Sequence, residues 1–343
     1  MPRRPRTALL LTVLVAVLPA SLTACTGTGH LMPSNPPSAA GAPLSDINPQ
    51  PRTTLADGGE LRLPIDTLDH TWNPLAGRPS SEVALVMSST LPRLFNDDPN
   101  GNPSPNPDYL AAVSASGGNP QVVTYTLSSN AAWNSGRPID ADDFIADWQA
   151  CNGSTPGFSC NATNRYSQVA SVKAGTTPKQ VIVTYKGAYD NWPQTFDFLL
   201  PKESVADPAT FTKGWSNLNR VNGWLAGPFV ITSADSRAGV LIETPNPDWW
   251  GNKPKLSQLT FRVIKAQDRF AALRHDQLDA YDLGSDTGKV DAINALDNCE
   301  VRKAVDPGGT TSRYAARQTL ANYGAFGRQS VIWTNVGYLQ PAT

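Results

Sequence analysis

The sequence predicts a fold of the mixed α/β class, and three observations favour it. Segments with the two-residue alternation of strands are interspersed irregularly with segments that have the three-to-four-residue spacing of helices. No internal repeat is found. The chain has 343 residues, of which 40% are hydrophobic, so it can bury a sizeable core. The irregular order argues against a barrel, in which strands and helices alternate regularly.

Apolar alternation and β-branched residues predict the strands, and turn residues bound them. Strands are expected at residues 60–65, 122–127, 181–185, 229–233, 240–243, 259–264 and 280–283, with 229–233 and 240–243 forming a hairpin. Helices are expected at residues 81–94, 141–150, 192–200 and 267–275. Residues 96–107, rich in Pro, Asn, Asp and Gly, are predicted to be a loop.

The helix that follows Asp140 has a clear start signal. Aspartate is a preferred N-cap, and Asp142 and Asp143 lie in the first turn, where the helix dipole favours negative charge. We therefore interpret these three carboxylates as helix-capping residues rather than as a catalytic group. The expected buried face consists of Phe144, Ile145 and Trp148.

The N-terminal residues resemble an export signal. Three arginines among the first six residues precede an apolar stretch at 7–20, which is too short to cross a membrane but suits a signal peptide. The sequence Leu-Thr-Ala-Cys at 22–25 resembles a bacterial lipobox, in which cleavage precedes the cysteine and its thiol carries a diacylglycerol. We expect residues 1–24 to be a lipoprotein signal peptide and Cys25 to be lipidated. Ordinary secretion with a free Cys25 is the alternative.

The segment after the lipobox is predicted to be a flexible tether that, with the lipidated Cys25, covers residues 25–56. It is rich in Pro, Ser, Gly and Ala and has few large apolar residues, so it cannot bury enough surface to fold. Two or more acyl chains give stable attachment to a bilayer. We therefore expect a lipid-anchored protein on the extracytoplasmic face of the cell membrane.

The remaining cysteines fit an oxidising compartment. Cys151 and Cys160 enclose a turn-rich loop and are a candidate disulfide, although two separate thiols are the alternative. That pairing leaves Cys299 over, an odd cysteine in an exported protein. Because the sequence has neither a Cys-x-x-Cys motif nor a histidine-rich tract, no metal site and no cofactor is expected.

Composition and motifs argue against catalysis and against nucleic-acid binding. The formal net charge is −1, which lacks the basic character of a nucleic-acid binder. The sequence contains neither the Gly-x-Ser-x-Gly turn of hydrolases nor the His-Glu-x-x-His motif of metalloproteases. Only His70 and His275 lie outside the predicted signal and tether. We predict that the protein is not an enzyme and has no catalytic residues.

Several motifs, individually moderate but jointly specific, occur in an order typical of one family. They are Val-Val-Thr-Tyr-Thr-Leu at 122–127, Ala-Trp-Asn-Ser-Gly-Arg-Pro-Ile at 132–139, Asp-Asp-Phe at 142–144 with Trp148, Leu-Leu-Pro at 199–201, Ala-Gly-Pro-Phe at 226–229 and Asn-Pro-Asp-Trp-Trp-Gly-Asn-Lys-Pro at 246–254. From these the chain resembles extracellular solute-binding protein family 5, the oligopeptide- and dipeptide-binding lipoproteins of ABC importers. Residues 55–94 resemble its actinobacterial members, and Asn134 and Ser135 depart from the usual pattern.

The resemblance implies a two-lobed fold like that of type II periplasmic binding proteins, which closes on an extended peptide and then docks on an ABC permease. It implies a first lobe at residues 57–305 and a C-terminal segment at 306–343 that returns to it. Most of the second lobe is expected to be missing, since family members are considerably longer. The resemblance places Trp72, Asn73, Asn222 and Trp224 near the ligand cleft, with a structural role as the alternative for each of them. Trp72, in a polar loop, is expected to be exposed.

Two functions are compatible with this interpretation. The first is the membrane-anchored, extracytoplasmic peptide-binding component of an ABC importer, with a peptide and permease subunits as its partners. The second is a cell-envelope lipoprotein without a transport role, which uses the remaining lobe as an interaction surface.

Overall fold

The computed structural model describes residues 52–54, 57–97, 102–284, 287–297, 299–305, 312–318, 331–333 and 339–341. The predicted signal peptide, Cys25 and nearly all of the predicted tether lie outside these residues, as does most of the segment 306–343.

The described residues form strands, α-helices and short 3₁₀-helices. The strands are β1 Glu60–Ile65, β2 Phe95–Asp97, β3 Pro103–Pro105, β4 Leu110–Ala115, β5 Val122–Leu127, β6 Val169–Ala174, β7 Gln180–Tyr185, β8 Phe229–Asp235, β9 Val240–Pro245, β10 Gln258–Val263, β11 Ala280–Gly284, β12 Cys299–Val305, β13 Ser312–Gln318, β14 Val331–Trp333 and β15 Leu339–Pro341. The α-helices are α1 Ser81–Met87, α2 Ala141–Cys151, α3 Thr163–Tyr166, α4 Pro208–Lys213, α5 Leu218–Gly223, α6 Arg269–Arg274 and α7 Val290–Asn294. The 3₁₀-helices are Arg52–Thr54, Trp192–Gln194, Lys202–Val205, Gly214–Ser216 and Ala266–Asp268.

The first sheet has the strand order β1-β10-β9-β8. β1 pairs in parallel with β10, and the other two pairs are antiparallel. Leu61, Leu63 and Ile65 of β1 are buried, as the alternation in the sequence predicts. The chain between β1 and β10 forms the second sheet and α1 to α5, so this parallel pair joins the two ends of a long insertion.

The second sheet is antiparallel, with the order β4-β5-β7-β6. Val123, Tyr125 and Leu127 of β5 face inward and alternate with half-buried residues. α2 covers this inner face, and its Phe144 ring lies 5.8 Å from the ring of Tyr125. Both larger sheets contribute to one hydrophobic core.

A smaller sheet, β11-β13-β12, follows the first two in sequence. A second hydrophobic cluster lies beside it and consists of Leu273, Tyr281, Leu283, Ile293 and Cys299. The stretch 57–305, which the sequence predicts to be one lobe, therefore contains two hydrophobic clusters. Arg62 of β1 connects them: its guanidinium pairs with Asp279 at 2.8 Å, and its backbone carbonyl accepts a hydrogen bond from the Asp279 N–H.

The structure contains strands that the sequence analysis did not predict, such as β4 and β6, and it differs from the predicted elements at helix ends. The helix expected at 81–94 ends at Met87, because the hydroxyls of Ser88 and Ser89 donate to the carbonyls of Leu85 and Val86 and compete with the helical pattern. The helix expected at 192–200 is only the 3₁₀ turn Trp192–Gln194. The loop expected at 96–107 contains the short hairpin of β2 and β3.

The buried face of α2 also differs from the prediction. Phe144 is fully buried, but Ile145 and Trp148 are only partly so. Asp143 and Asp147 are fully buried instead. The apolar spacing in the sequence misses them because their burial depends on hydrogen-bond donors outside the helix, such as the Lys202 N–H for Asp143 and the Leu200 N–H for Asp147.

The carboxyl group of Glu243, on β9, is fully buried in the core. Its Oε2 lies 2.5 Å from the Ser89 hydroxyl, which also lies 3.1 Å from the Val86 carbonyl. Burial raises the pKa of Glu243 to about 8, and the Ser89 hydrogen bond offsets this only in part. At neutral pH the Glu243 carboxyl is therefore mostly protonated.

The substitution Glu243→Gln should change how stability depends on pH. The folded protein holds a proton up to about pH 8 that the unfolded chain loses near pH 4.5. The free energy of unfolding should therefore fall as pH rises through this window, by up to about 1.4 kcal/mol per unit, and the loss should be complete above pH 8. Glu243→Gln should remove this slope in denaturant titrations at pH 5, 7 and 9.

The exposed carboxylate of Asp190 provides a control, because Asp190→Asn should leave the slope as it is in the wild type. An unchanged slope in Glu243→Gln would contradict the assignment of the proton to Glu243.

Candidate ligand-binding site

Three of the residues predicted to lie near a cleft converge on the segment from Phe211 to Trp215, which comprises the end of α4 and the start of the following 3₁₀ turn. The backbone N–H of Trp72 donates to the Trp215 carbonyl at 3.2 Å. The side-chain amide of Asn73 donates to the Phe211 carbonyl at 2.7 Å. The indole of Trp224 packs on that of Trp215, with ring centroids 5.2 Å apart. We call this group the Trp215 cluster.

Trp72 and Asn73 lie beneath the surface. Their exposed fractions are 4% and 0%, so the expectation that Trp72 is exposed is wrong. The polar loop can fold inward because both ends of the Asn73 amide have hydrogen-bond partners: its Oδ1 also accepts from the Leu75 N–H at 2.9 Å. Asn222 and Trp224 are half-buried and reach the surface.

The Cys151–Cys160 disulfide, with an S–S distance of 2.01 Å, holds the segment that follows Asn73. The N–H of Gly77 donates to the Ser159 carbonyl at 2.6 Å, and Ala76 forms a β-bridge with Cys160. Gly77 has a φ of 63°, which favours glycine. The disulfide loop thus fixes the place where the chain leaves the core beside the Trp215 cluster.

An asparagine network, which the sequence did not indicate, supports Asn222. Asn134 donates to the Asn222 carbonyl at 3.0 Å and accepts from Asn246 at 2.9 Å. The Asn222 amide donates to the Ile231 carbonyl on the edge of the first sheet. These bonds join a turn of the second sheet to loops of the first. The available signal was the position of Asn134 and Asn246 within the family-like motifs.

The carboxylate of Asp143 organises the start of α2. It accepts hydrogen bonds from the Trp133 indole at 3.1 Å, the Asp140 N–H at 3.1 Å and the Lys202 N–H at 2.9 Å, and it pairs with Arg137 at 2.5 Å. Asp140 is the N-cap, and together with Asp143 it forms a capping box. The interpretation of these carboxylates as helix-capping residues is confirmed.

Two further observations concern the described part of the chain. No group of three or more His, Cys, Asp or Glu side chains there could hold a metal ion. None of the helices there is long and apolar enough to cross a membrane.

The arrangement of sheets defines the class of protein. The chain aligns with the periplasmic EDTA-binding protein EppA with a TM-score of 0.65 and 25% identity, covering 74% of this chain and 49% of that one. It aligns with the oligopeptide-binding protein AppA from Bacillus subtilis, solved with a nonapeptide, with a TM-score of 0.61 and 15% identity over the same shares. The fold is that of a periplasmic binding protein, of mixed α/β class as the sequence predicts.

The sequence comparison identifies the family. The family model described as "Bacterial extracellular solute-binding proteins, family 5 Middle" matches residues 107–325. The chain belongs to family 5 of the bacterial extracellular solute-binding proteins, which is not a family of enzymes.

Two relatives are mycobacterial proteins. The oligopeptide-binding protein OppA of Mycobacterium tuberculosis is 35% identical over 285 residues, which cover 81% of this chain and 47% of that protein. The probable monoacyl phosphatidylinositol tetramannoside-binding protein LpqW of the same species is 26% identical over 303 residues, which cover 86% of this chain and 45% of that protein. The chain spans about half the length of these relatives.

The substitution Asn73→Ala should destabilise the protein by roughly 2–4 kcal/mol, because it leaves the Phe211 carbonyl and the Leu75 N–H buried without their hydrogen bonds. Urea unfolding would measure this loss. Asn191, an exposed residue, is the control, and Asn191→Ala should lie within about 0.5 kcal/mol of the wild type. Equal stability of the two variants would contradict a supporting role for Asn73.

Proposed function

We propose that this chain is the peptide-binding component of an ABC importer, held on the extracytoplasmic face of the cell membrane by a lipid on Cys25. The observation that carries the proposal is the 35% identity over 81% of the chain to an oligopeptide-binding protein. The fold shared with AppA, whose structure contains a nonapeptide, supports the same ligand class. The permease subunits of the importer would be its protein partners.

The proposed peptide contact is the half-buried surface of Asn222 and Trp224. An indole face offers apolar area to any side chain, which suits a binder with little sequence preference. Gly214 allows Trp224 to pack closely, since a Cβ there would lie 3.0 Å from the Trp224 ring. In this proposal the buried Trp72 and Asn73 hold the Phe211–Trp215 segment in place through hydrogen bonds to its carbonyls. Trp215 in turn supports the Trp224 ring.

The described sheets would form one side of the peptide cleft. Peptides bound in an extended form gain affinity from main-chain hydrogen bonds, which need little side-chain specificity. Closure of a second side over the peptide would bury it and prepare the protein for docking on the permease.

A second function is favoured by one observation. The 26% identity to LpqW extends over 86% of the chain, and the name of that protein gives it a glycolipid ligand rather than a peptide. On this alternative the protein is an envelope lipoprotein without a transport role, and the described sheets provide an interaction surface.

Peptide binding should raise the melting temperature of the full chain. Ligand at 100 times its Kd stabilises a protein by about 2.7 kcal/mol, which for a chain of this size raises the melting temperature by about 4 °C. A mixed pool of tri- to pentapeptides at millimolar concentration should give this shift in a thermal-shift assay. Trp224→Ala should lose it.

Trp148 supplies the matched control, since it is also half-buried but lies on α2. Trp148→Ala should keep the peptide-induced shift. If the wild type shows no stabilisation at millimolar peptide, peptide binding is excluded and the envelope function gains support.

The lipid anchor can be tested separately. Cys25→Ser should move the protein from the detergent phase to the aqueous phase in a Triton X-114 partition of expressing cells, because the acyl chains can no longer be attached. Thr26→Ala keeps the cysteine and should remain in the detergent phase. Retention of Cys25→Ser in the detergent phase would contradict lipidation at this position.

A further inference from the structure

A cavity lies where the first and second sheets meet, and none of its lining residues belongs to the Trp215 cluster. Its volume is about 50 Å³, whereas about 10–15 Å³ admits one water molecule. Asp108 and Tyr109, at the start of β4, line it together with Trp249, in the turn after β9, and Arg93. We call it the Asp108 cavity. Arg93 and Asp108 are its only charged lining residues among the described parts of the chain.

Aromatic rings form one side of the Asp108 cavity. The ring centroids of Trp249 and Trp250 are 4.5 Å apart, and those of Tyr109 and Trp249 are 5.7 Å apart. Both indole N–H groups are engaged, since Trp249 donates to the Asn252 carbonyl and Trp250 donates to the Asp108 carbonyl. The Tyr109 hydroxyl donates to the Ala226 carbonyl in the core at 2.8 Å. The aromatic side of the cavity therefore presents carbon surfaces and no side-chain donor.

The carboxylate of Asp108 stands beside this aromatic wall. A Cβ on Gly251 would lie 2.8 Å from Asp108 Oδ1 and 2.6 Å from Trp249 Cζ2, so the carboxylate and the indole flank the same glycine. Asp108 is half-buried, and within the described residues no cation or hydrogen-bond donor reaches its carboxylate. Burial raises the pKa of Asp108 above its ordinary value. A partly desolvated carboxylate is stabilised by a cationic hydrogen-bond donor placed beside it.

The positive charge of Arg93 does not compensate Asp108. Arg93 pairs with Asp197 at 3.1 Å, and its guanidinium lies 5.6 Å from the centre of the Phe198 ring. Glu243 is hydrogen-bonded to Ser89, which lines the cavity, but burial raises the pKa of this carboxyl to about 8, so it is mostly neutral at pH 7. The charge left open to a ligand is therefore the negative charge of Asp108.

We propose that the Asp108 cavity binds the primary ammonium group of a small organic amine, with Asp108 as the counter-charge and the rings of Trp249 and Tyr109 as the enclosing wall. An ammonium group gains from both elements at once, because it pairs with a carboxylate and is attracted to the face of an aromatic ring. An anion would be repelled by the Asp108 carboxylate. A neutral apolar group would cover the carboxylate and leave it unpaired. The volume admits the ammonium head and the first carbons, and the remainder extends into solvent.

The test compares a cation with its neutral isostere on the full chain. Isothermal titration with n-butylammonium chloride at pH 7 should give saturable binding, and n-butanol should bind at least tenfold more weakly. Nα-acetyl-lysine amide distinguishes the source of the ammonium group. Binding equal to that of n-butylammonium extends the ligand class to lysine side chains. Weaker binding restricts the ligand class to small amines that are not part of a peptide. Both outcomes support the ammonium site.

Two substitutions locate the site. Asp108→Asn should weaken n-butylammonium binding at least tenfold, and Trp249→Leu should weaken it severalfold. Asp248→Asn changes an exposed carboxylate one residue before Trp249 and should leave the affinity unchanged. Asp108→Asn should keep any peptide-induced thermal shift, so the amine site and the proposed peptide function fail or succeed independently.

Equal affinities for n-butylammonium and n-butanol would overturn the proposal, and so would unchanged binding by a folded Asp108→Asn. The comparison of n-butylammonium with n-butanol needs only the wild type, so it decides the question even if Asp108→Asn does not fold.

Discussion

The parallel pairing of β1 with β10 is the contact on which the rest of the structure depends. It joins strands whose paired residues, such as Glu60 and Gln258, are 198 positions apart. A parallel pair needs a crossover connection, and here that connection contains the second sheet, α2 and the disulfide loop. Closing so long a loop costs entropy, which the apolar faces of β1 and β10 offset by burial in the common core.

Three carboxyl groups in or beside the core differ in the groups that surround them. Asp143 accepts hydrogen bonds from three N–H groups and forms an ion pair with Arg137. Glu243 lies beside the Ser89 hydroxyl, no cation pairs with it among the described residues, and burial raises its pKa to about 8, so it is mostly neutral at pH 7. Asp108 is half-buried, and within the described residues neither a cation nor a hydrogen-bond donor contacts its carboxylate. The contrast among the three is the physical basis for expecting a cation from outside at Asp108.

Loops between the sheets supply both candidate sites. The Trp215 cluster joins the loop after β1 to the segments before β8, and the Asp108 cavity joins the start of β4 to the turn after β9. Rigid sheets position these loops, and the asparagine network around Asn134 fixes one against another. A supporting residue in such an arrangement is buried, as Asn73 is, while the residues that meet a ligand stay half-exposed.

The sequence by itself determined the elements whose signals are local. Alternation located β1, β5 and the β8–β9 hairpin, Asp140 marked the start of α2, and the ordered motifs identified the family. The tertiary structure alone decided what depends on distant partners. It ended α1 at Met87, placed Trp72 and Asn73 inside, and left the Asp108 carboxylate beside Trp249. Local patterns record the preferences of neighbours in the chain, whereas burial of a polar group is decided by donors that folding brings from far away.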